Sequence, residues 1–231
     1  MNIQRLGRLV AALVLACAAA QANPVEVRSS RIPLYPDRPQ DTRAGQLIYR
    51  GGLVLSSTDS RFGGWSDLAV NADGSEILAL SDAGRWLKAH LTYGTGGNLI
   101  QLTKADIAPL LDPEGQPIPG KDSDSEGMSL ERANDLNGPV IVSFEGNVRI
   151  WRYDLSRGFN ARPTTVPVGD WVKRLHGNNQ LEAVTIWKPD TVIAFGESKV
   201  AEGDDLLGAL EAYPGDGRPH TRMLSVVART S

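Results

Sequence analysis

The amino-acid sequence predicts an all-β protein of the β-propeller type, with about three to four blades present. Three observations favour this fold class. Many short apolar runs lie between turn-forming residues, similar segments recur at intervals of nearly 60 residues, and an acidic residue ends the second strand of each recurring segment. The 24 glycines and 14 prolines are spread along the chain, which suits many short strands joined by tight turns.

β-Branched and aromatic residues form the predicted strands, and Gly, Pro, Asn and Asp bound them. The clearest runs are residues 47–50, 53–56, 77–80, 140–144, 148–153 and 192–195. Helical patterns are few. Residues 105–111 are predicted to form at most one or two helical turns, because Pro109 limits the segment.

The internal repeat decides the predicted architecture. Ser66, Glu126 and Glu182 occupy equivalent places in three segments, separated by 60 and 56 residues. Each segment consists of a short strand, a hairpin turn and a more apolar strand. A single small sheet cannot bury both faces, whereas blades stacked around an axis bury them against one another. A β-sandwich would explain the strands, but it would not explain the repeat.

Chain length predicts an incomplete propeller. We expect a signal peptide over residues 1–22, an extended leader over 23–43 and the propeller domain over 44–231. About 209 residues remain after signal removal, and roughly 58 residues per unit gives fewer than four blades, where closed propellers typically have four to eight. The sequence is therefore interpreted as C-terminally truncated, with a sheet edge left unpaired.

The N-terminus predicts export to the periplasm or the medium. Arg5 and Arg8 precede a short apolar run, and Ala20-Gln21-Ala22 provides a cleavage site after Ala22. No later segment is long and apolar enough to cross a membrane. Cys17, the only cysteine, suggests the alternative of a lipoprotein. Cleavage after Ala22 would leave a mature chain without a disulfide.

At the three repeated segments the chain resembles the family described as "esterase-like activity of phytase", also called the phytase-like domain. The matching residues are 62–69 with 80–82, 124–128, 143–147 with 149–153, and 179–183. The resemblance covers roughly residues 45–228. It implies an exported bacterial propeller, for which the family name suggests phosphate-ester or ester hydrolysis.

Two sets of acidic residues are predicted to converge at one mouth of the propeller channel. The first set is Glu126 and Glu182, with Ser66 in the equivalent place, and the second is Asp82, Glu145 and Glu197. Carboxylates that meet on an axis repel one another unless a cation, a proton or an arginine lies between them. Oxygen ligands favour a hard cation, and Ca²⁺ fits best. Acids that merely accept backbone hydrogen bonds in turns are the alternative.

Other residues give weaker signals. Asp122-Ser123-Asp124-Ser125-Glu126-Gly127 imitates half of an EF-hand loop, but its closing position is Ala133, so it is either a looser cation loop or a solvated acidic turn. Arg149 and His176 are candidates for contact with an anionic substrate. No G-x-S-x-G motif is present, so a serine nucleophile is not predicted.

These signals support three hypotheses on function. The first is a cation-dependent phosphoesterase, in which Glu126 and Glu182 hold the ion. The second is a non-catalytic propeller that binds a ligand or a protein, and the third is an inactive fragment. A small anionic or ester ligand is the expected partner. The net charge of −3 and the lack of a basic stripe argue against nucleic acid, and the sequence does not indicate an oligomeric state.

Overall fold

The computed structural model describes residues 22–175, 180–199, 205–213 and 218–227. The N-terminal part contains β1 (Asn23–Val25), β2 (Arg28–Ile32), β3 (Arg43–Ala44), β4 (Leu47–Ile48) and β5 (Gly52–Ser56). Strands β2 and β5 pair with each other, as do β3 and β4. Residues 23–43, predicted as an extended leader, thus contain short strands. The predicted signal peptide lies almost wholly outside the described residues.

Three antiparallel meanders follow along the chain. The first is β6 (Trp65–Val70), β7 (Glu76–Ser81), β8 (Arg85–Tyr93) and β9 (Leu99–Pro109), and β1 joins it along β9. The second is β10 (Ser125–Leu130), β11 (Pro139–Phe144), β12 (Arg149–Asp154) and β13 (Thr164–Val166). The third is β14 (Leu181–Lys188), β15 (Thr191–Lys199), β16 (Asp205–Ala212) and β17 (His220–Val227). We call these sheets blades 1, 2 and 3.

The all-β, propeller-like prediction is confirmed, and no sheet in the described part of the chain closes on itself. Short 3₁₀ segments occur at Thr95–Gly97, Gly120–Ser123, Leu155–Asn160 and Asp170–Arg174. The helical prediction for residues 105–111 was wrong, because most of this stretch belongs to β9. Pairing with β8 and β1 supplies backbone hydrogen bonds on both sides of that strand. Among the described residues, no helix could span a membrane.

Two of the three core clusters lie between successive blades, and the third joins blade 1 to the N-terminal strands. In β11, Val140, Val142 and Phe144 pack towards blade 1, where they meet Leu80 and Trp86. Their neighbour Ile141 packs on the opposite face, in a second cluster with blade 3. Both faces of β11 are therefore buried, which explains why its sequence is a continuous apolar run rather than an alternating one.

The first strands of the three blades lie side by side. The main-chain N–H of Met128 in β10 donates to Asp67 Oδ2 in β6 at 2.7 Å, and the N–H of Ile186 in β14 donates to Ser129 Oγ in β10 at 3.0 Å. These bonds join one blade to the next without a continuous sheet. They hold β10 beside β6 on one side and beside β14 on the other, so the three strands that carry the repeated polar position are neighbours.

Candidate functional site

The repeated polar position lies at a β-bulge in every blade. The pairing register between the first and second strands shifts between Trp65 and Asp67, between Ser125 and Met128, and between Leu181 and Ala183. Ser66, Glu126 and Glu182 fall inside these shifts. A bulge leaves its extra residue out of the regular ladder and redirects its side chain. The sequence repeat therefore corresponds to a repeated backbone irregularity that presents one polar side chain per blade.

The second set of acids is held beside these bulges by one hydrogen bond per blade. The N–H of Asp82 donates to the carbonyl oxygen of Gly64 at 2.8 Å, and the N–H of Glu145 donates to that of Asp124 at 2.9 Å. The N–H of Glu197 donates to that of Gln180 at 3.0 Å. Each bond ends at the residue before the first strand, and it starts from the residue after the second strand in blades 1 and 2 and from a residue within β15 in blade 3. The two acid sets are consequently brought to the same end of the blades.

Blades 2 and 3 approach closely at this end because Gly127 has no side chain. A Cβ at Gly127 would lie 3.0 Å from the main-chain oxygen of Glu182 and 2.9 Å from Ser143 Oγ. The buried Ser143 hydroxyl also accepts a hydrogen bond from the Gly127 N–H at 3.0 Å. The residue after Glu126 is thus packed directly against the bulge that carries Glu182.

Five carboxyl groups converge there, and we call them the acidic cluster. One triad is Asp124, Glu126 and Glu145, and the other is Glu145, Glu182 and Glu197. Within each triad, one oxygen of each carboxyl group lies within 4.8 Å of the others. Glu145 belongs to both triads. The cluster therefore combines acids from blades 2 and 3 around one shared carboxylate.

The crowding changes the protonation of the cluster. Burial raises the pKa of Glu126 to about 7, and both a hydrogen bond with Asp124 and the charge of Glu182 act in the same direction, against a hydrogen bond from Ser66. Burial likewise raises the pKa of Glu145 to about 7, with repulsion from Asp124, Glu182 and Glu197. The pKa of Glu182 is raised by burial and by the charge of Glu197. The cluster thus holds protons at pH values where ordinary glutamates have lost them.

Among the described residues, no ion pair joins a basic side chain to a member of the acidic cluster. One buried oxygen, Glu145 Oε1, has no hydrogen-bond partner. A buried carboxylate oxygen without a donor is costly unless a cation or a proton binds it. An all-oxygen donor set of this kind fits a hard divalent cation.

Four of the five predicted metal ligands lie in the acidic cluster. Asp82 does not belong to either triad. It is exposed, and its carboxylate lies directly against Gly64, where a Cβ would collide with Asp82 Oδ1. Blade 1 has Ser66 in place of a glutamate, so it contributes no carboxylate of its own to the cluster. That the five predicted acids bind a metal ion stays a prediction.

The two predicted substrate contacts have different outcomes. His176 lies outside the described residues. Arg149, at the start of β12, donates to the main-chain oxygens of Asn147 at 2.7 Å and Asp122 at 2.6 Å. Its guanidinium also lies over the rings of Phe144 and Trp151 at cation–π distance. Its contact with a substrate stays a prediction, although Nη1 and Nη2 each already donate a hydrogen bond to a main-chain oxygen of the protein.

Asp124 is the cluster member that the repeat did not assign. Its equivalents are Gly64 and Gln180, so comparison of the blades carries no signal for a carboxylate at this place. The signal lay in the acidic run from Asp122 to Glu126, which the sequence left open between a loose cation loop and a solvated turn. In the structure the Asp124 carboxylate is half-buried and faces Glu126 and Glu145.

Comparison with known families agrees with the architecture. A family model described as "Esterase-like activity of phytase" matches residues 60–226, which contain all three blades up to the penultimate residue of β17. No curated protein matches the chain.

Proposed function

Because the chain belongs to the family described as esterase-like activity of phytase, we propose that it is a cation-dependent hydrolase of phosphoric or related esters. The observation that carries this proposal is the pair of carboxylate triads that share Glu145. An esterase-like family description and a converging set of oxygen ligands are accounted for by the same chemistry. The proposed site is the acidic cluster at the mouth between blades 2 and 3.

Calcium is the proposed ion. Ca²⁺ takes six to eight oxygen ligands in flexible geometry, whereas Mg²⁺ demands a small octahedral site. Carboxylates from two blades, some half-buried and some exposed, offer several oxygens without a rigid cage. Each triad could provide the ligands for one Ca²⁺ ion, so the number of Ca²⁺ ions bound per chain shows whether one triad or both are occupied.

A bound cation would supply polarisation of the ester oxygen and acidify a coordinated water. The chain's own residues would do the rest. Glu126, Glu145, Glu182 and Glu197 would hold the ion, and the exposed Glu182 and Glu197 would leave room on the solvent side for a substrate. In hydrolysis the water oxygen bonds to phosphorus or to the acyl carbon, the alcohol leaves, and a proton must be accepted. The proton that the water loses passes to the leaving alkoxide, so the step balances without protonation of the carboxylates that would hold the ion.

Calorimetry and kinetics test this function together. We expect Ca²⁺ to bind the wild-type protein and the Glu126→Gln, Glu182→Gln double variant to lose most of the affinity. Hydrolysis of a chromogenic phosphate monoester and of a chromogenic acyl ester should depend on Ca²⁺ and be lost in the same variant. Glu114→Gln is the matched control, because Glu114 is an exposed glutamate outside the cluster. Turnover that survives both EDTA and the double variant would contradict the proposal.

A non-catalytic binding propeller is the second candidate. It is favoured by the absence of an identified nucleophile among the described residues, where the cluster offers carboxylates only. This alternative shares the Ca²⁺ site but predicts no turnover. Tight Ca²⁺ binding together with rates equal to those of the Glu126→Gln, Glu182→Gln variant on both esters would favour it over the hydrolase.

We also propose that the protein is exported through cleavage after Ala22. The described strands begin at Asn23, so the folded part that the structure describes lies within the mature chain. Expression of the full sequence in a Gram-negative host, followed by fractionation and mass spectrometry, should give a periplasmic or extracellular product whose N-terminus is Asn23. A lipid-modified N-terminus at Cys17 would instead show a lipoprotein.

A further inference from the structure

We infer that Arg149 is a positioning residue that holds Asp124 in the acidic cluster. The inference rests on the proposed cation site and goes beyond it by assigning Arg149 a role in orienting one ligand of that site. It concerns the short segment 121–124, which precedes β10 and ends in the cluster carboxylate of Asp124.

Arg149 anchors this segment through its main chain. Its Nη2 donates to the carbonyl oxygen of Asp122 at 2.6 Å, and its Nη1 donates to that of Asn147 at 2.7 Å. The guanidinium therefore bridges segment 121–124 and the turn between β11 and β12. Both acceptors are uncharged carbonyls, so the arginine does not neutralise a cluster carboxylate.

Two aromatic rings fix the guanidinium in place. Its carbon lies 3.9 Å from the ring centroid of Phe144 and 4.2 Å from that of Trp151. Phe144 is fully buried, and Arg149 Nε is buried without a hydrogen-bond partner. A planar cation held by two directed hydrogen bonds and close to both rings keeps a defined orientation, which a flexible ammonium would not reproduce.

The turn between β11 and β12 also contacts segment 121–124, and we call this set of contacts, from Arg149, Gly146 and the Glu145 N–H, the clamp. Gly146 has φ +63°, and a Cβ there would meet the carbonyl oxygen of Lys121 at 2.5 Å, so segment 121–124 lies directly on this turn. The N–H of Glu145 then donates to the Asp124 carbonyl at 2.9 Å. Arg149, Gly146 and the Glu145 N–H thus hold the segment along its length. The last contact joins two members of one triad, Asp124 and Glu145.

This arrangement predicts that Arg149 affects Ca²⁺ affinity through the position of Asp124. In Arg149→Met an apolar stem remains beside the two rings, but the guanidinium and its bonds to Asp122 and Asn147 are lost. We expect Ca²⁺ affinity to fall about 10- to 100-fold, the range seen when groups that orient metal ligands are removed. With Tb³⁺ as a luminescent probe, lifetimes in H₂O and D₂O should report about one more bound water, since Asp124 would leave the ion.

A double-mutant cycle separates positioning from general damage. In an Asp124→Asn background, Arg149→Met should have little further effect on Ca²⁺ affinity, because its route to the ion is already removed. Arg152→Met is the matched control, since Arg152 lies on the same strand and pairs instead with Glu131. Equal losses from Arg149→Met with and without Asp124 would overturn the inference, as would an unchanged water count.

Hydrogen exchange tests the clamp without any ion. In the calcium-free protein, Arg149→Met should speed exchange of the Glu145 amide, while the amides paired between β11 and β12 keep their protection. If the wild type does not bind Ca²⁺ or Tb³⁺, the proposed cation site fails, whereas faster exchange confined to Glu145 still supports the clamp. Unchanged exchange at Glu145 overturns the clamp whatever the cation result.

Discussion

Gly127 packs against the main chain of Glu182, so that a Cβ on Gly127 would lie 3.0 Å from the Glu182 carbonyl oxygen. This contact sets the distance between blades 2 and 3 at the place where their acidic residues meet. Glu126 precedes Gly127, and the bulge places its carboxyl group beside those of Asp124 and Glu145. The separation of the two bulges therefore depends on Gly127, which has no side chain.

Gly127→Ala is expected to push the two blades apart. The new methyl group must displace Ser143 Oγ or the main chain of β14, which should cost about 1–3 kcal/mol in the free energy of unfolding. Ca²⁺ affinity should fall as well, because Glu126 and Glu182 would separate. Urea denaturation and calorimetry measure the two effects. Gly45→Ala is the control, since a Cβ at Gly45 would meet no atom within 4 Å, although its φ of +59° adds some strain.

The stability of the calcium-free protein should fall as pH rises from about 4.5 to about 7. Glu126 and Glu145 have pKa values raised to about 7 from 4.5, so across this range the folded state keeps protons that the unfolded state releases. Their stabilising contribution is complete at low pH and lost as pH passes the folded value. Because solvent screens these half-buried groups, we expect a loss on the order of 1–2 kcal/mol in total.

Urea denaturation in EDTA between pH 5 and pH 8 measures this slope. The Glu126→Gln, Glu145→Gln variant should show a flatter profile, since it has no proton to lose at these positions, and Glu114→Gln should behave as the wild type. A wild-type stability that rises over the same range, with the double variant parallel to it, would contradict the prediction.

Calcium should bind more tightly at pH 8 than at pH 5.5. Protons and the cation compete for the same carboxylates, and metal binding releases protons from groups whose pKa is raised. At a free Ca²⁺ concentration about 100 times Kd, the bound ion should stabilise the fold by about 2.7 kcal/mol. Calorimetry in two buffers of different ionisation enthalpy would count the protons released. An affinity independent of pH would show that Glu126 and Glu145 do not contact the ion.

Glu211 is expected to be a structural carboxylate. Its fully buried side chain accepts hydrogen bonds from the Gly169 N–H at 2.9 Å, from Trp171 Nε1 at 2.5 Å and from Thr221 Oγ1 at 2.8 Å. These bonds tie the segment before blade 3 to β16 and β17. Glu211→Ala leaves three donors unpaired, at about 1 kcal/mol or more each.

Urea denaturation of Glu211→Ala should therefore show a loss of about 3 kcal/mol or more. Glu211→Gln should lose less, because its amide oxygen still accepts from part of this set. Neither variant should change Ca²⁺ affinity while the protein stays folded, because Glu211 does not belong to the acidic cluster. An equal cost for alanine and glutamine would show that these hydrogen bonds contribute little.

The sequence by itself determined the blades and the place of their repeated acids. Runs such as 140–144, bounded by turn residues and recurring with Glu126 and Glu182 in step, carry local information: strand propensity, turn chemistry and spacing. The bulges follow these repeats closely. For this reason the sequence predicted that five acids meet at one end of the blades, and four of them, all except Asp82, lie in the acidic cluster.

Only the tertiary structure decided which acids meet, and how. Asp82 fills the same place as Glu145 and Glu197 but lies against Gly64, and Asp124 joins the cluster although its equivalents are Gly64 and Gln180. Arg149 likewise donates to main-chain carbonyl oxygens, which its place in the sequence did not indicate. The directions of these side chains depend on contacts between segments far apart in the chain, such as 121–124 on the turn at Gly146, and a one-dimensional pattern does not contain those distances.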